Sequence, residues 1–260
     1  KSDDLHTFSV GFDNERYDES SYADIVTKKY HTKHHKLVVN SHEYAELLAE
    51  TIWHNDTPLT HAHTPQLLAL SRLAKEYVTV VLTGEGADET WGGYPRHQIP
   101  MLARKLDWIP NSIRSSIVEI SRQLNLARAV KLFELTNGFD NALVQANRFA
   151  TEKQMARAGL TINPDTYRRV LRGTIKNLGL TDLETVLAYD RRTHMMPLLH
   201  RLDRTTMASG VEARVPFLDH RIIEWSMTQP SSNKLRLGRE NKILLKKVAE
   251  KYFPKEMIYR

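Results

Sequence analysis

Three carboxylates, Glu85, Asp88 and Glu89, lie among Gly84, Gly86, Gly92 and Gly93 in the stretch Val78 to Tyr94. Carboxylates spaced by glycine suit a hard divalent cation, above all Mg²⁺, which takes oxygen ligands and shares them with substrate phosphates. Glu85 and Asp88, three residues apart, are the pair for that role. Two carboxylates alone are a weak metal site, so phosphate oxygens of a bound nucleotide or pyrophosphate would have to complete it. Gly84 and Gly86 let the backbone turn sharply and come close to a ligand. An acidic surface turn has the same composition. What favours a site is the apolar run directly before it, Val78, Val80, Val81 and Leu82, which reads as a strand buried on both faces of a parallel sheet. In open α/β sheets ligands bind beyond the carboxyl ends of strands.

A second group runs from Leu202 to Asp219, where Asp203, Arg204, Glu212 and Arg214 alternate with small and apolar residues and match neither a helix face nor a strand. These four charges either pair among themselves and fix a loop, or the arginines receive a carboxylate or phosphate, for which the guanidinium fork is shaped. Lys242 is a third candidate, placed by periodicity on a helix with Lys246 and Lys247. A lysine there either faces solvent or steadies charge growing on transferring phosphates. His34-His35 and His61-Ala62-His63 have no nearby third ligand of zinc type, and His61 and His63 are better placed to line a substrate pocket. No Walker-type Gly-x-x-x-x-Gly-Lys and no Ser–His–Asp arrangement is legible.

The elements that must position these groups change character along the chain. Phe8, Val10 and Phe12 alternate, so residues 6–12 read as a strand that Gly11 closes. A helix from Asp18 to Tyr30, a strand from His35 to Val39 and an amphipathic helix from Ser41 to Trp53 follow, the last burying Tyr44, Leu47, Leu48 and Ile52. Thr64 as N-cap and Pro65 open a helix to about Tyr77, which feeds the Val78 strand. This alternation predicts a parallel sheet with helices on both faces over residues 1–95. Residues 100–200 contain no convincing strand and are helical, with breaks at Pro110, Asn137-Gly138, Asn163-Pro164 and Gly179. Thr181 and Glu184 fit a capping box for a helix through Thr193. Further helices are predicted from Asp219 and over Arg239–Phe253, with Ile243, Leu244 and Val248 apolar. Residues 96–260 thus form a mainly helical half, expected to complete a cleft above the sheet without an intervening linker.

At 260 residues, 41% hydrophobic and 26% charged, the chain can bury a substantial core. It has no cysteine, which removes disulfides and thiolate metal sites and fits a reducing, cytoplasmic setting. No apolar run reaches the roughly 18–20 residues that a membrane span needs. The net charge of +6 is uneven: residues 1–95 carry 8 Lys+Arg against 15 Asp+Glu, and the remainder 29 against 16. The basic clusters Arg168-Arg169, Arg172, Lys176 and Arg191-Arg192 lack the interleaved aromatics of a nucleic-acid stacking surface, so neither nucleic acid nor membrane is expected as a partner.

Three blocks resemble the synthetase domain of the glutamine-dependent asparagine synthetase family, within the ATP pyrophosphatase (PP-loop) superfamily. They are Thr7 to Phe12, Val80 to Tyr94 with its Thr-Gly-Glu-Gly-Ala-Asp-Glu core, and Asp203 to Asp219 ending Val-Glu-Ala-Arg-Val-Pro-Phe-Leu-Asp. The resemblance implies a Rossmann-like α/β fold of the adenine nucleotide α-hydrolase type. It implies that ATP activates the side-chain carboxylate of aspartate as an acyl adenylate, and that ammonia then yields asparagine and AMP. By position, Val10, Thr83 and Gly84 would contact adenosine, largely through backbone groups. Glu85 would act near the reacting carboxylate, Asp88 would hold Mg²⁺ on the pyrophosphate, and Lys242 would steady phosphate charge, with Arg204, Glu212 and Arg214 serving substrate or structure. The family's phosphate loop, Ser-Gly-Gly-x-Asp-Ser, has no counterpart before Thr7, and the glutaminase domain with its N-terminal cysteine has none either. Residues 1–260 are therefore expected to be part of a longer protein, cut inside the synthetase domain and inactive alone. The glutaminase domain would be a partner within that longer chain, and a homodimer stays open as an assembly. The Pro58–His63 loop does not match the family's aspartate-binding pattern, so a β-lactam synthetase-like or other specialised amide ligase is the alternative. A non-catalytic nucleotide-binding homologue is the reading from a different class.

Overall fold

Alternating Phe8 and Val10 become β1 (His6–Gly11), and the polar turn after α1 (Ser20–Tyr30) leads into β2 (Lys33–Val38). The computed structural model describes residues 4–11, 18, 20–136, 138–146, 152–159 and 165–259. Phe12, Asn137 and Asn163-Pro164, used above to place a strand end and two helix breaks, lie outside them. Two compact units divide the chain: Lys1–Glu85 with Met196–Pro216 and Lys246–Arg260, and Gly86–Met195 with Phe217–Leu245.

In the first unit β1 and β2 pair in parallel, from His6 opposite Lys33 to Gly11 opposite Val38. Period-two alternation sends His34 and His35 to opposite faces. His35 stacks with His6, Phe8 and Tyr77, its ring 3.9 Å from that of Tyr77. His34 lies between the hydroxyls of Thr7 and Ser9, each 3.0 Å away. The pair is structural on both faces. α2 (Ser41–Asn55) opens on a capping box in which the Asn40 side chain accepts from the His42 and Glu43 amides and Glu43 accepts from the Asn40 amide. Such a cap contributes about 1 kcal/mol. The inward line of α2 is Tyr44, Leu47, Leu48, Thr51 and Asn55, whereas Ile52 is exposed, contrary to the apolar face predicted. The helix packs against α3 (Thr64–Lys75) and α12 (Met196–Met207). Thr64 is the first helical residue rather than the cap: His63 holds that position and the Thr64 hydroxyl donates to the His61 carbonyl at 2.6 Å.

β3 (Val80–Leu82) pairs in parallel with β4 (Glu212–Arg214). The strand is not buried on both faces as predicted: Leu82 is 73% exposed and Val80 37%. The parallel pairing holds, but as two two-stranded pieces, β1–β2 and β3–β4, rather than one sheet among the described residues. A cavity of about 560 Å³ lined by His6, Thr7 and Phe8 and by Val80, Val81 and Leu82 lies between them. Mixed α/β architecture with parallel strands is nevertheless what the first unit has.

The second unit is helical: α4 (Ala87–Trp91), α5 (Gln98–Leu106), α6 (Asn111–Gln123), α7 (Ala127–Leu135), α8 (Phe139–Ala146), α9 (Glu152–Arg157), α10 (Asp165–Lys176) and α11 (Asp182–Asp190). No strand occurs among the described residues of 100–200. Pro110 precedes α6, and Gly179 turns with φ 64°, as two of the predicted breaks require. Phe139, Leu143, Val144, Ile175, Val186 and Tyr189 form its core. Burying each large apolar side chain contributes about 1.5–3 kcal/mol. Half of the predicted capping box forms at α11: the Thr181 hydroxyl accepts from the Glu184 amide, but the Glu184 carboxylate turns to the buried Lys234 instead. A π-helical turn, Arg191–Met195, joins α11 to α12 in sequence. Met196–Met207 is thus a helix through Leu202–Thr206, where no regular element was predicted, and Glu212–Arg214 is a strand.

α13 (His220–Thr228) starts where predicted, with the Asp219 side chain accepting from the Arg221 amide. The single helix predicted over Arg239–Phe253 is instead a hairpin, β5 (Leu235–Arg236) with β6 (Glu240–Asn241), followed by α14 (Ile243–Ala249) and α15 (Lys255–Ile258). Gly238, with φ 72°, makes the hairpin turn. Val248 is 48% exposed. Among the described residues no helix is long and apolar enough to cross a membrane.

Candidate active site

Two of the three sequence blocks meet through the β3–β4 ladder. Val80 lies opposite Glu212 and Leu82 opposite Arg214, and the Thr83 amide donates to the Arg214 carbonyl at 2.9 Å. The chain leaves the ladder there, so Thr83, Gly84 and Glu85 emerge at the carboxyl end of β3. The Thr83 hydroxyl is buried and has no hydrogen-bond partner among the described residues. A Cβ built on Gly84 meets nothing within 4 Å, so no protein neighbour requires glycine at that position. Val10 is half-buried in β1 opposite Leu37.

Glu85 accepts a hydrogen bond from Arg201 Nη2 at 2.7 Å. Arg201 is 5% exposed, and its Nη1 donates to His63 Nε2. Nε2 can accept only in the neutral tautomer with its proton on Nδ1. Burial of the inner edge, the Arg201 charge and then His61 push the His63 pKa from 6.5 down to about 4, although the residue as a whole stays exposed. Arg201 was not singled out in the sequence. Its signal was a cation on the apolar stripe Leu198, Leu202 and Thr205 of a helix, a position that ordinarily rejects charge.

The charges of the third block do not form one cluster. Arg204 pairs with Asp56 at 2.7 Å, beyond α2, while Arg214 donates through Nε to Glu212 at 2.8 Å. That exposed pair lowers the Glu212 pKa and raises that of Arg214, each through the hydrogen bond and then the opposite charge.

In the second unit Gly86, with φ 88°, begins α4, and a Cβ there would collide with the Leu218 side chain. Both facts require glycine. Asp88 folds back over Gly93, where any side chain would strike its carboxylate. Asp88 Oδ1 is 3.0 Å from Lys242 Nζ. Lys242 is not on a helix, as periodicity suggested: it precedes α14 with φ 49°, a left-handed conformation that costs a non-glycine residue about 1–2 kcal/mol. The hairpin sets it there, because the Asn241 side-chain amide donates to the Gly93 carbonyl and Leu235 packs over Gly92.

Glu89 is a buried support rather than an open carboxylate. Tyr94 donates to it at 2.9 Å, and burial raises the pKa of both. Asp190, fully buried, receives Arg96 and His97 at 3.0 and 2.9 Å. Burial opposes its charge, but the His97 hydrogen bond and the Arg96 guanidinium hold its pKa below the usual range. No group of three His, Cys, Asp or Glu suited to a metal occurs among the described residues. Asp88 is a single hard oxygen donor whose charge a lysine now balances, which fits a cation that takes one carboxylate and completes its shell from phosphate.

Parallel strands carrying a glycine-acid loop at their carboxyl end, followed by a helical unit, define an α/β protein of Rossmann-like type. The asparagine synthase family model matches residues 1–260, and the chain belongs to that family. It is 30% identical over 264 residues to asparagine synthetase (glutamine-hydrolyzing) 1 of Bacillus subtilis, covering 98% of this chain and 41% of that protein. Asparagine synthetase (glutamine-hydrolyzing) 3 of the same organism is 28% identical over 98% of the chain and 39% of its own length. Amidase chyE of Penicillium rubens is 25% identical over 98% and 41%. The chain thus spans about two fifths of the length of these relatives.

Proposed function

We propose that the chain is the carboxylate-activating part of an ATP-dependent amide synthetase, with aspartate and ammonia derived from glutamine as its substrates. The observation that carries this reading is the exit of Thr83-Gly84-Glu85 from β3. An open glycine and an unpartnered hydroxyl sit there beside a carboxylate clamped by a buried arginine. The aspartate side-chain carboxylate attacks the α-phosphorus of ATP, pyrophosphate leaves, and ammonia displaces AMP from the acyl carbon. Val10, Thr83 and Gly84 take the adenosine through backbone groups and the Thr83 hydroxyl. Arg201 fixes the Glu85 rotamer, and Glu85 serves the reacting carboxylate. Asp88 and Lys242 are the groups for magnesium and for phosphate charge, and they hold each other in place until phosphate arrives. Magnesium would supply charge neutralisation on the leaving pyrophosphate. A cytoplasmic setting supplies ATP and fits the absence of cysteine.

The test is ATP–pyrophosphate exchange by the full-length protein. Aspartate-dependent exchange that residues 1–260 alone do not support is the expected result. Exchange with another carboxylate and none with aspartate would replace asparagine with a specialised amide. The similarity to a fungal amidase favours keeping that second reading. No exchange with any carboxylate would leave a non-catalytic nucleotide-binding protein.

A further inference from the structure

We propose that the helical unit carries a second anion site, for a phosphate group, built by Arg172, Lys176 and the first turn of α8. A cavity of about 390 Å³ opens between α5, α8 and α10, lined by Arg104, Phe139, Asp140, Asn141, Arg172 and Lys176. Arg172 is only 8% exposed. Its Nη2 meets Asp140 at 2.5 Å, but Nε and Nη1 are buried and have no hydrogen-bond partner among the described residues. A guanidinium has five donors and no acceptor, so donors buried without partners at a cavity wall are unsatisfied until an oxygen-bearing ligand enters.

Three further features give that ligand its charge. The first backbone bond of α8 runs from the Ala142 amide to the Gly138 carbonyl, so the amides of Phe139, Asp140 and Asn141 lie ahead of the helical ladder. Such a helix start favours an anion. Gly138, with φ 79°, leaves open space where a side chain would stand. Lys176 is exposed at the cavity and has no ion-pair partner recorded among the described residues, while Asp182 balances Arg104 with two hydrogen bonds of 3.0 Å. Both guanidinium groups lie over the Phe139 ring, 4.7 Å for Arg104 and 5.6 Å for Arg172. A tetrahedral oxyanion can take guanidinium, ammonium and amide donors together. A planar carboxylate fills fewer of them. The ligand is therefore inorganic phosphate or the phosphate of a phosphomonoester.

The experiment titrates inorganic phosphate, glycerol phosphate and malate into the full-length protein by calorimetry, with ionic strength held constant by chloride. The two phosphates distinguish a free ion from an ester, and malate tests the carboxylate alternative. Lys176→Ala should weaken phosphate binding by about tenfold or more, the loss of one charged hydrogen bond. Asp140→Asn should tighten it, because the competing carboxylate no longer holds Arg172 Nη2. Neither variant should change ATP–pyrophosphate exchange, so failure here is distinct from failure of the proposed reaction. Binding of malate in preference to phosphate, phosphate affinity unchanged in both variants, or no binding above that of chloride would each overturn the proposal.

Discussion

Glu85, Arg201 and His63 form a short relay of one acid, one buried cation and one neutral ring, and each depends on the next. Arg201 can donate to Nε2 only while His63 is uncharged. The unfolded-state pKa of 6.5 exceeds the folded value of about 4, so the unfolded chain binds the extra proton between those values. Stability therefore rises with pH across that window and falls as pH drops from 6.5 toward 4. Urea denaturation of wild type and His63→Gln at pH 4.5 and 7 should show a smaller pH dependence in the variant. Gly84 gives the complementary measurement. An alanine meets no protein atom there, so Gly84→Ala should leave the thermal midpoint unchanged or slightly raised. ATP binding should fall at least tenfold if adenosine lies against that backbone. Wild-type ATP affinity in Gly84→Ala would remove the residue from the nucleotide site.

At the scale of elements, the β3–β4 ladder and the β5–β6 hairpin do the positioning. The ladder joins residues more than a hundred positions apart and leaves the acidic loop at its carboxyl end. The hairpin carries Lys242 to Asp88 at the cost of a left-handed backbone. Strain kept at a charged residue suggests that its side chain is worth more than its conformation costs. Lys242→Gly removes the strain and the charge together. Its stability should be within about 1 kcal/mol of wild type, because relief of the left-handed backbone offsets loss of the ion pair. Its ATP–pyrophosphate exchange should fall by two orders of magnitude or more. Retained exchange would make the Asp88–Lys242 pair purely structural.

For the whole molecule, charge and architecture divide differently. Within the basic excess of residues 96–260, Arg172 and Arg191 are drawn inward, Arg172 to Asp140 and Arg191 toward Glu184 and the Glu89 carbonyl. Burial changes what those charges can do: Arg172 and Arg191 organise helices and a cavity. The two parallel strand pairs are separate pieces, and a cavity lined by residues of β1 and β3 lies between them.

The sequence by itself determined the parallel α/β character of the first part, the helices between residues 100 and 200 and the motif blocks. Each of these is carried by local periodicity or by a short run of fixed residue types. It also placed a helix start at Asp219 and a helix break at Pro110, because capping and proline geometry are local. The fate of each charge was decided by tertiary structure. Glu85, Asp88 and Glu89 look alike along the chain, but one is clamped by Arg201, one meets Lys242 and one is buried under Tyr94. Arg201 and Arg172 read as ordinary basic residues until packing removed the water around them. Periodicity reports which face of an element turns inward, but it does not report which distant side chain will be waiting there.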